Sequence, residues 1–545
     1  TQSAVLDLNN KSLTFNSGSF LSTTSDLTVK NGTVFVTNST SGIRNMGTAS
    51  SLIAQSLNIE GTENDAGSNA SSAMLRSAGK LFIENTNIEV NQVGSTQKAL
   101  YPIRCTGTET LSISNSSVVL NSEISKYSYA VHSTAKNSMI DNLSVNMDSN
   151  TQTSYSIGVL SSGANLSLKN SEFNITNSGS QPTTGVYYSG TSVANIDNTN
   201  IFVNSLKGFS YGFYSQNSST YPENVTINET NINVKTQPTV ETASYGVYLR
   251  TKNATFTNSE ITSESGTYRW SGGVILVANN KATINDTVIN TLGMAKYYGV
   301  SFGNGELYTD NLTVNAKASN NENFKNNSGE RFFAINLEDT VKSAEIKNSN
   351  IVGSDLVGQN IGIYDLTASP VTLSQNKIDM GASSGLTTGI NVLNGEVSSS
   401  NDKVNIYGDD GTFYGFRIDT TKNITLDSPS ITLQQNINGF CTAVLENNAK
   451  LISNNAVIDI DANQGVHRGY DVVSGTLDIN NGSIDMNNTS TSDIYENTFP
   501  DGGKDLDDDS STDNSSTTNV ENYDYRAINI QKTATSANIS GEANN

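Results

Sequence analysis

The stretch Asn165–Asn177, NLSLKNSEFNITN, alternates apolar and polar residues, but the alternation slips by one position midway. Leu166 and Leu168 share one parity and Phe173 and Ile175 the other, so on a flat strand the two pairs would face opposite sides. The slip follows a template: apolar, any, Asn, any, any, apolar. It recurs at Leu8–Asn10–Leu13, Val29–Asn31–Val34, Ile83–Asn85–Ile88, Ile113–Asn115–Val118 and Ile140–Asn142–Val145. It continues at Leu168–Asn170–Phe173, Ile196–Asn198–Ile201, Phe256–Asn258–Ile261, Ile346–Asn348–Ile351, Ile452–Asn454–Val457 and Ile479–Asn481–Ile484. Asp286, Gln375 and Ser428 replace the Asn in other copies. A bend centred on Asn, which tolerates positive φ better than other non-glycine residues, would reset the parity and turn all four apolar residues inward.

A second motif lies between copies: a small residue before an apolar one, often with Tyr ahead, as in Tyr211-Gly-Phe213, Tyr245-Gly-Val247 and Tyr298-Gly-Val300. Its copies from Val131 to Val444 are spaced mostly 26 to 28 residues apart, with two steps of 34 and 35. A fixed period in the range of about 20–50 residues is the signature of a solenoid. Two or three strand-like runs per period, with no 3.6-residue pattern, predict an all-β, right-handed parallel β-helix of about 27 residues per coil and about eighteen coils. Coils stacked about 4.8 Å apart would superpose Asn85, Asn115, Asn142, Asn170 and Asn198 as a structural ladder of side-chain amides.

The rhythm predicts a shaft over residues 1–489, an acidic Ser/Thr/Asp/Asn-rich projecting loop over 490–524, and a last coil and terminus over 525–545. Shorter outward loops are expected near 61–72, 219–242 and 318–332. Thr1 opens the chain without an initiator methionine, the pattern of a processed or trimmed chain, and no run reaches the roughly 18 apolar residues of a membrane span.

Of 545 residues, 35% are hydrophobic and 15% charged, and the net charge is −21. That field argues against nucleic acid, polyanionic polysaccharide or anionic lipid as partners of the whole surface, and leaves a local basic patch open. Cys105 and Cys441 lie about twelve coils apart and cannot form a disulfide within the chain, so two buried free thiols are expected. His132 and His467 are as far apart, so no site uses both; each is expected to be at the surface or half-buried. In DLDDDSSTD, Asp505, Asp507, Asp509 and Asp513 have the spacing of a calcium loop, but Ser510 stands where such loops carry Gly. Calcium is the only cofactor the sequence suggests.

Tyrosines fall into two sets. Tyr129, Tyr211, Tyr245, Tyr298, Tyr414 and Tyr470 precede the inward residue by two and share its parity, which predicts a stack at an inward corner. Tyr187, Tyr214, Tyr248 and Tyr364 follow the inward residue and should form an outward strip for a saccharide, a protein or a second copy, or simply pack across strands.

YGDDG, with Asp409 and Asp410, and GVHRG, around His467, resemble turns of the β-helical polygalacturonases. That resemblance would imply paired carboxylates for glycoside hydrolysis, but here the turns are two coils apart instead of about one, and no catalytic residue is expected. Over nearly its whole length the chain, through repeats such as LSLKNSEFNI and ATFTNSEIT, resembles the passenger domains of Gram-negative autotransporter adhesins. The translocating β-barrel of that family is not in the sequence. The resemblance implies a non-enzymatic, extracellular, cell-surface shaft that attaches to host proteins or glycans, or to another copy of itself in aggregation and biofilm. Two other readings stay open: a surface-layer or filament subunit, and a polysaccharide-degrading lyase, hydrolase or tailspike.

Overall fold

At Asn170 the backbone takes φ 49°, inside the left-handed region, and the chain turns between the strands Asn165–Lys169 and Glu172–Asn177. Leu166, Leu168, Phe173 and Ile175 are all buried, so the turn restores the parity that the sequence had slipped. The same geometry recurs at Asn85, Asn115, Asn142, Asn198, Asn258 and Asn348, and at Asp286, Gln375 and Ser428 where Asn is replaced. One copy of the template is displaced: Asn455, not Asn454, takes positive φ, so Val457 points to solvent while Ala456 and Ile458 face inward.

The computed structural model describes residues 3–16, 20–38, 41–63, 72–93, 98–151, 154–215, 220–237, 242–265, 271–293, 296–318, 331–487, 524–531 and 533–540. It is all-β, with 80% strand and parallel pairing, and forms a β-solenoid of about 16 turns spaced about 27 residues apart. The count is below the eighteen expected from length.

Three strands make one lap, for example Asn165–Lys169, Glu172–Asn177 and Thr183–Tyr188. Each pairs with its equivalent one lap on, so Phe173 stacks between Val145 and Ile201. The column Val145, Phe173, Ile201, Ile232, Ile261 runs up the interior with every member at most 1% exposed. Burying each such side chain contributes about 1.5–3 kcal/mol, and stacking repeats this in every coil. At the far end Asp524–Ile530 pairs with the segment around Tyr470, and Asn529 hydrogen-bonds Asp471, 58 residues away in sequence. The acidic tract between them lies outside the described residues.

The Asn ladder is present in segments. Asn142 Nδ2 donates to Asn115 Oδ1, and Asn198 Nδ2 to Asn170 Oδ1, both at 2.8 Å. Asn170 Nδ2 turns to Asp141 Oδ1 at 2.8 Å instead of to Asn142, so the predicted column is broken there. Its amide finds a stronger acceptor in a carboxylate.

A second corner device is the buried Ser or Thr after the Asn. Ser171 Oγ donates to Lys169 O at 2.6 Å and accepts from Leu143 N–H, one coil earlier, at 3.1 Å. Ser116 and Ser259 repeat the arrangement, accepting from Thr86 and Thr230. Further along, Asn376 and Asp402 take over, with Asp402 Oδ1 accepting from Asn376 N–H at 2.8 Å.

Other carboxyls are buried at the edges of coils. Asp365 accepts from Thr367 N–H at 2.9 Å and Glu446 from Ala449 N–H at 2.6 Å. Burial pushes both up to about 7, against the pull of those hydrogen bonds.

Two predictions follow from the corners. Ser171→Ala leaves the Leu143 N–H buried without a partner and is expected to cost about 1–3 kcal/mol, against a near-neutral Ser144→Ala on the outer side of the wall. Denaturant titration of both variants checks it. For Asp365 and Glu446 the folded chain binds more protons than the unfolded one between the ordinary carboxylate range and about pH 7, so their contribution to stability is greatest in acid and is lost as pH rises through about 7. The melting temperature should therefore fall between pH 5 and pH 8, and the double variant Asp365→Asn, Glu446→Gln should flatten that slope.

Candidate functional site: an aromatic strip on the outer wall

The site starts from a glycine. In Ser210–Ser215 the register joins Tyr211 to Tyr245 and Phe213 to Val247, and Gly212 has no partner of its own between them. Gly212 and Phe213 are both buried on the inner side of this bend. A Cβ at Gly212 would lie 2.1 Å from Ile232 Cγ2 and 2.6 Å from the Gly246 carbonyl oxygen, so no larger side chain fits. The extra inward residue puts the flanking Tyr211 and Tyr214 on the same outer face.

This corrects the inward corner stack expected for Tyr129, Tyr211, Tyr245, Tyr298 and Tyr414. Parity counts assume an unbroken pleat, and the bend breaks it. Tyr211 stacks on Tyr245 with centroids 5.5 Å apart and touches Tyr214 at 4.7 Å. Tyr129 packs with Tyr101 at 5.3 Å, and Tyr298 with Phe333 at 5.5 Å, in clusters separate from the main core. Tyr414 lies beneath the Arg417 guanidinium. Tyr470 alone points inward, because it follows Gly469 and occupies the inward position itself; its hydroxyl pairs with Ser453 Oγ at 2.7 Å.

Of the predicted outward strip, Tyr187, Tyr214 and Tyr248 are contiguous, at 5.0 and 5.6 Å, and half-buried. Tyr364 does not join them. Ile275, Ser301 and Asn336 hold its column position on the intervening coils, and its ring stacks instead on Phe333 at 5.1 Å. The central patch therefore consists of five rings: Tyr187, Tyr211, Tyr214, Tyr245 and Tyr248. Burial, followed by neighbouring phenols, raises Tyr214 and Tyr245 to about 12, so the rings stay neutral and keep their O–H donors across the physiological range. Such a surface can stack on a flat partner and donate hydrogen bonds along the shaft.

The other candidate chemistry is dispersed. Asp409 and Asp410 are exposed, whereas His467 is fully buried, contrary to the surface or half-buried place expected of it, so the resemblance to a hydrolase turn is not matched by a shared site. Cys105 and Cys441 are buried free thiols, pushed up by burial to about 11 and about 12. Asp505, Asp507, Asp509 and Asp513 lie outside the described residues; among the described residues no group of three or more His, Cys, Asp or Glu side chains could hold a metal ion. On another part of the wall an open cavity of about 480 Å³ is lined by Lys377, Asp379, Lys403, Asn405 and Tyr407, with Lys377 paired to Asp379.

No family model, no curated protein and no solved structure matches the chain.

Gly212→Val should destabilise the chain by about 1–3 kcal/mol through overpacking, and should disturb the near-ultraviolet circular dichroism of the five-ring patch before the far-ultraviolet strand signal changes. A variant with unchanged melting and unchanged tyrosine signals would show that the bend has room.

Proposed function

We propose that the chain is a non-enzymatic adhesin acting outside the cell, at the cell surface, where a rigid shaft holds a binding face away from its anchor. About 16 turns at roughly 4.8 Å per coil make a shaft of about 77 Å. Supporting this reading is a face whose rings are contiguous along the axis, at 5.0 and 5.6 Å, and half-exposed instead of folded into the core. A column one coil deep per ring suits an extended partner lying parallel to the shaft, such as a host glycan, a surface protein or a second copy. Each contact is weak, and length multiplies them. The resemblance of the repeats to autotransporter passengers points the same way.

The test displays the chain on beads and scores attachment to cells and bead–bead aggregation. The triple variant Tyr187→Ala, Tyr214→Ala, Tyr248→Ala is expected to lower one of the two at least tenfold while its strand signal stays unchanged. Attachment and aggregation both untouched by the triple variant would overturn the reading. So would turnover of a polysaccharide by the purified chain, or spontaneous growth of filaments, which belongs to a structural subunit.

A further inference from the structure

The same outer column continues towards the N-terminal end, and there its chemistry changes. Arg44 is in register with Arg76, Arg76 with Arg104, and Arg104 with His132, so three guanidiniums and an imidazole stand one coil apart, about 4.8 Å each. This is an unusual cost in a chain with 52 acids and 31 bases, where a carboxylate neighbour is easy to supply. Elsewhere the wall does supply one: Lys30 pairs with Asp7, Lys235 with Glu264, and Lys252 with Glu223.

The far end of the same face offers an internal control. Arg468 and Arg526 are also stacked in register, yet Arg468 is neutralised by Asp471, and Asn529, held by Arg526, donates to that same Asp471. Among the described residues no carboxylate comes within ion-pair distance of Arg44, Arg76 or Arg104. Arg44 Nε donates to Ser22 Oγ at 3.0 Å and its guanidinium lies over Phe20. The Nε groups of Arg76 and Arg104 and Nδ1 of His132 are buried with no hydrogen-bond partner. Burial, then the charges of Arg104 and Arg44, hold Arg76 below its ordinary value, as expected of cations left to repel one another.

Rings wall the column on one side. Tyr101 and Tyr129 pack edge to face, His132 sits 5.5 and 5.9 Å from them, and Arg104 lies over Tyr101. These rings are nearly covered, so they fix the direction of the cations. The half-buried Tyr127, 5.9 Å from Tyr129, carries the wall outward.

We propose that this column is a binding site for an acidic polysaccharide lying along the shaft. The inference rests on the adhesin reading and names a ligand class for it. A guanidinium fork matches carboxylate and sulfate oxygens two at a time, and one fork per coil suits a polymer that carries an acid at each repeat. Sugar rings supply apolar faces for the adjoining tyrosine. The net charge of −21 works against the distant approach of any polyanion, so recognition has to come from close contact with the column.

The experiment measures binding of the full soluble chain to oligogalacturonate, to a heparin-type sulfated oligosaccharide, to neutral dextran and to a single-stranded 20-mer of DNA. At least one acidic glycan should bind and neutral dextran should not; the carboxylated and sulfated arms show which acid is read. Arg76→Gln with Arg104→Gln should weaken that binding at least tenfold, and Arg76→Lys with Arg104→Lys should retain part of it. The Gln pair removes mutual repulsion, so its melting temperature should hold or rise, separating lost binding from lost folding. The proposal is overturned if neither acidic glycan binds, if the Gln pair binds as tightly as the parent, or if DNA binds as well as the glycans. It is also overturned if the Gln pair abolishes only self-association, which would assign the column to a second copy. Glycan binding without attachment in the bead assay would sink the adhesin reading and leave this site standing.

Discussion

Parallel stacking of coils is the constraint from which the rest of this molecule follows. Each strand's amides and carbonyls are satisfied by the coils on either side, so equivalent positions must superpose, lap after lap. A corner that gained or lost a residue without compensation would turn every later side chain to the wrong face. The chain therefore marks its corners with two chemically different devices. One is an Asn that accepts positive φ and is followed by a buried hydroxyl; the other is a small residue where the bend faces inward. Both hold the register locally, and neither depends on apolar area, which explains how a wall with 35% hydrophobic residues can be built.

Superposition also governs the outside of the wall. Whatever one coil places at an outward position is met at about 4.8 Å by the same position of the next coil, so like stands on like unless the sequence intervenes. Tyr211 on Tyr245 gains from that arrangement, because rings attract when offset or tilted. Arg76 between Arg44 and Arg104 does not. The outer columns thus separate into those that satisfy themselves and those that stay unsatisfied, and the second kind is where an external partner gains most.

The shaft was largely legible from residues alone. The Asn template located most corners, and the spacing of the small-residue motif supplied the period, because both reflect a backbone need that one residue type meets best. Legibility failed where two devices met. Tyr211 and Tyr214 differ by three positions and so by parity, yet they share a face, because Gly212 inserts a second inward residue at the bend. Tyr470 does point inward as its parity indicated, since it takes the inward position after Gly469. The buried Ser171 and its equivalents escaped notice because Ser and Thr are common everywhere in the chain, so their recurrence after Asn did not stand out from the composition.

The arginine column was hidden for a further reason. Arg44, Arg76 and Arg104 are separated by 32 and 28 residues, with unequal loops between them, and only the register of the folded coils puts them side by side. A net charge describes the chain as a whole, whereas recognition depends on what a few neighbouring positions present. In a solenoid those positions are distant in sequence by construction, so the sign of the local surface can oppose the sign of the total. The acids that dominate this chain are spread over the wall and its corners, where they accept hydrogen bonds from neighbouring coils, as Asp141 does from Asn170 and Asp402 from Asn376. Their charge is partly committed to holding the shaft together, while among the described residues no carboxylate pairs with the three guanidiniums.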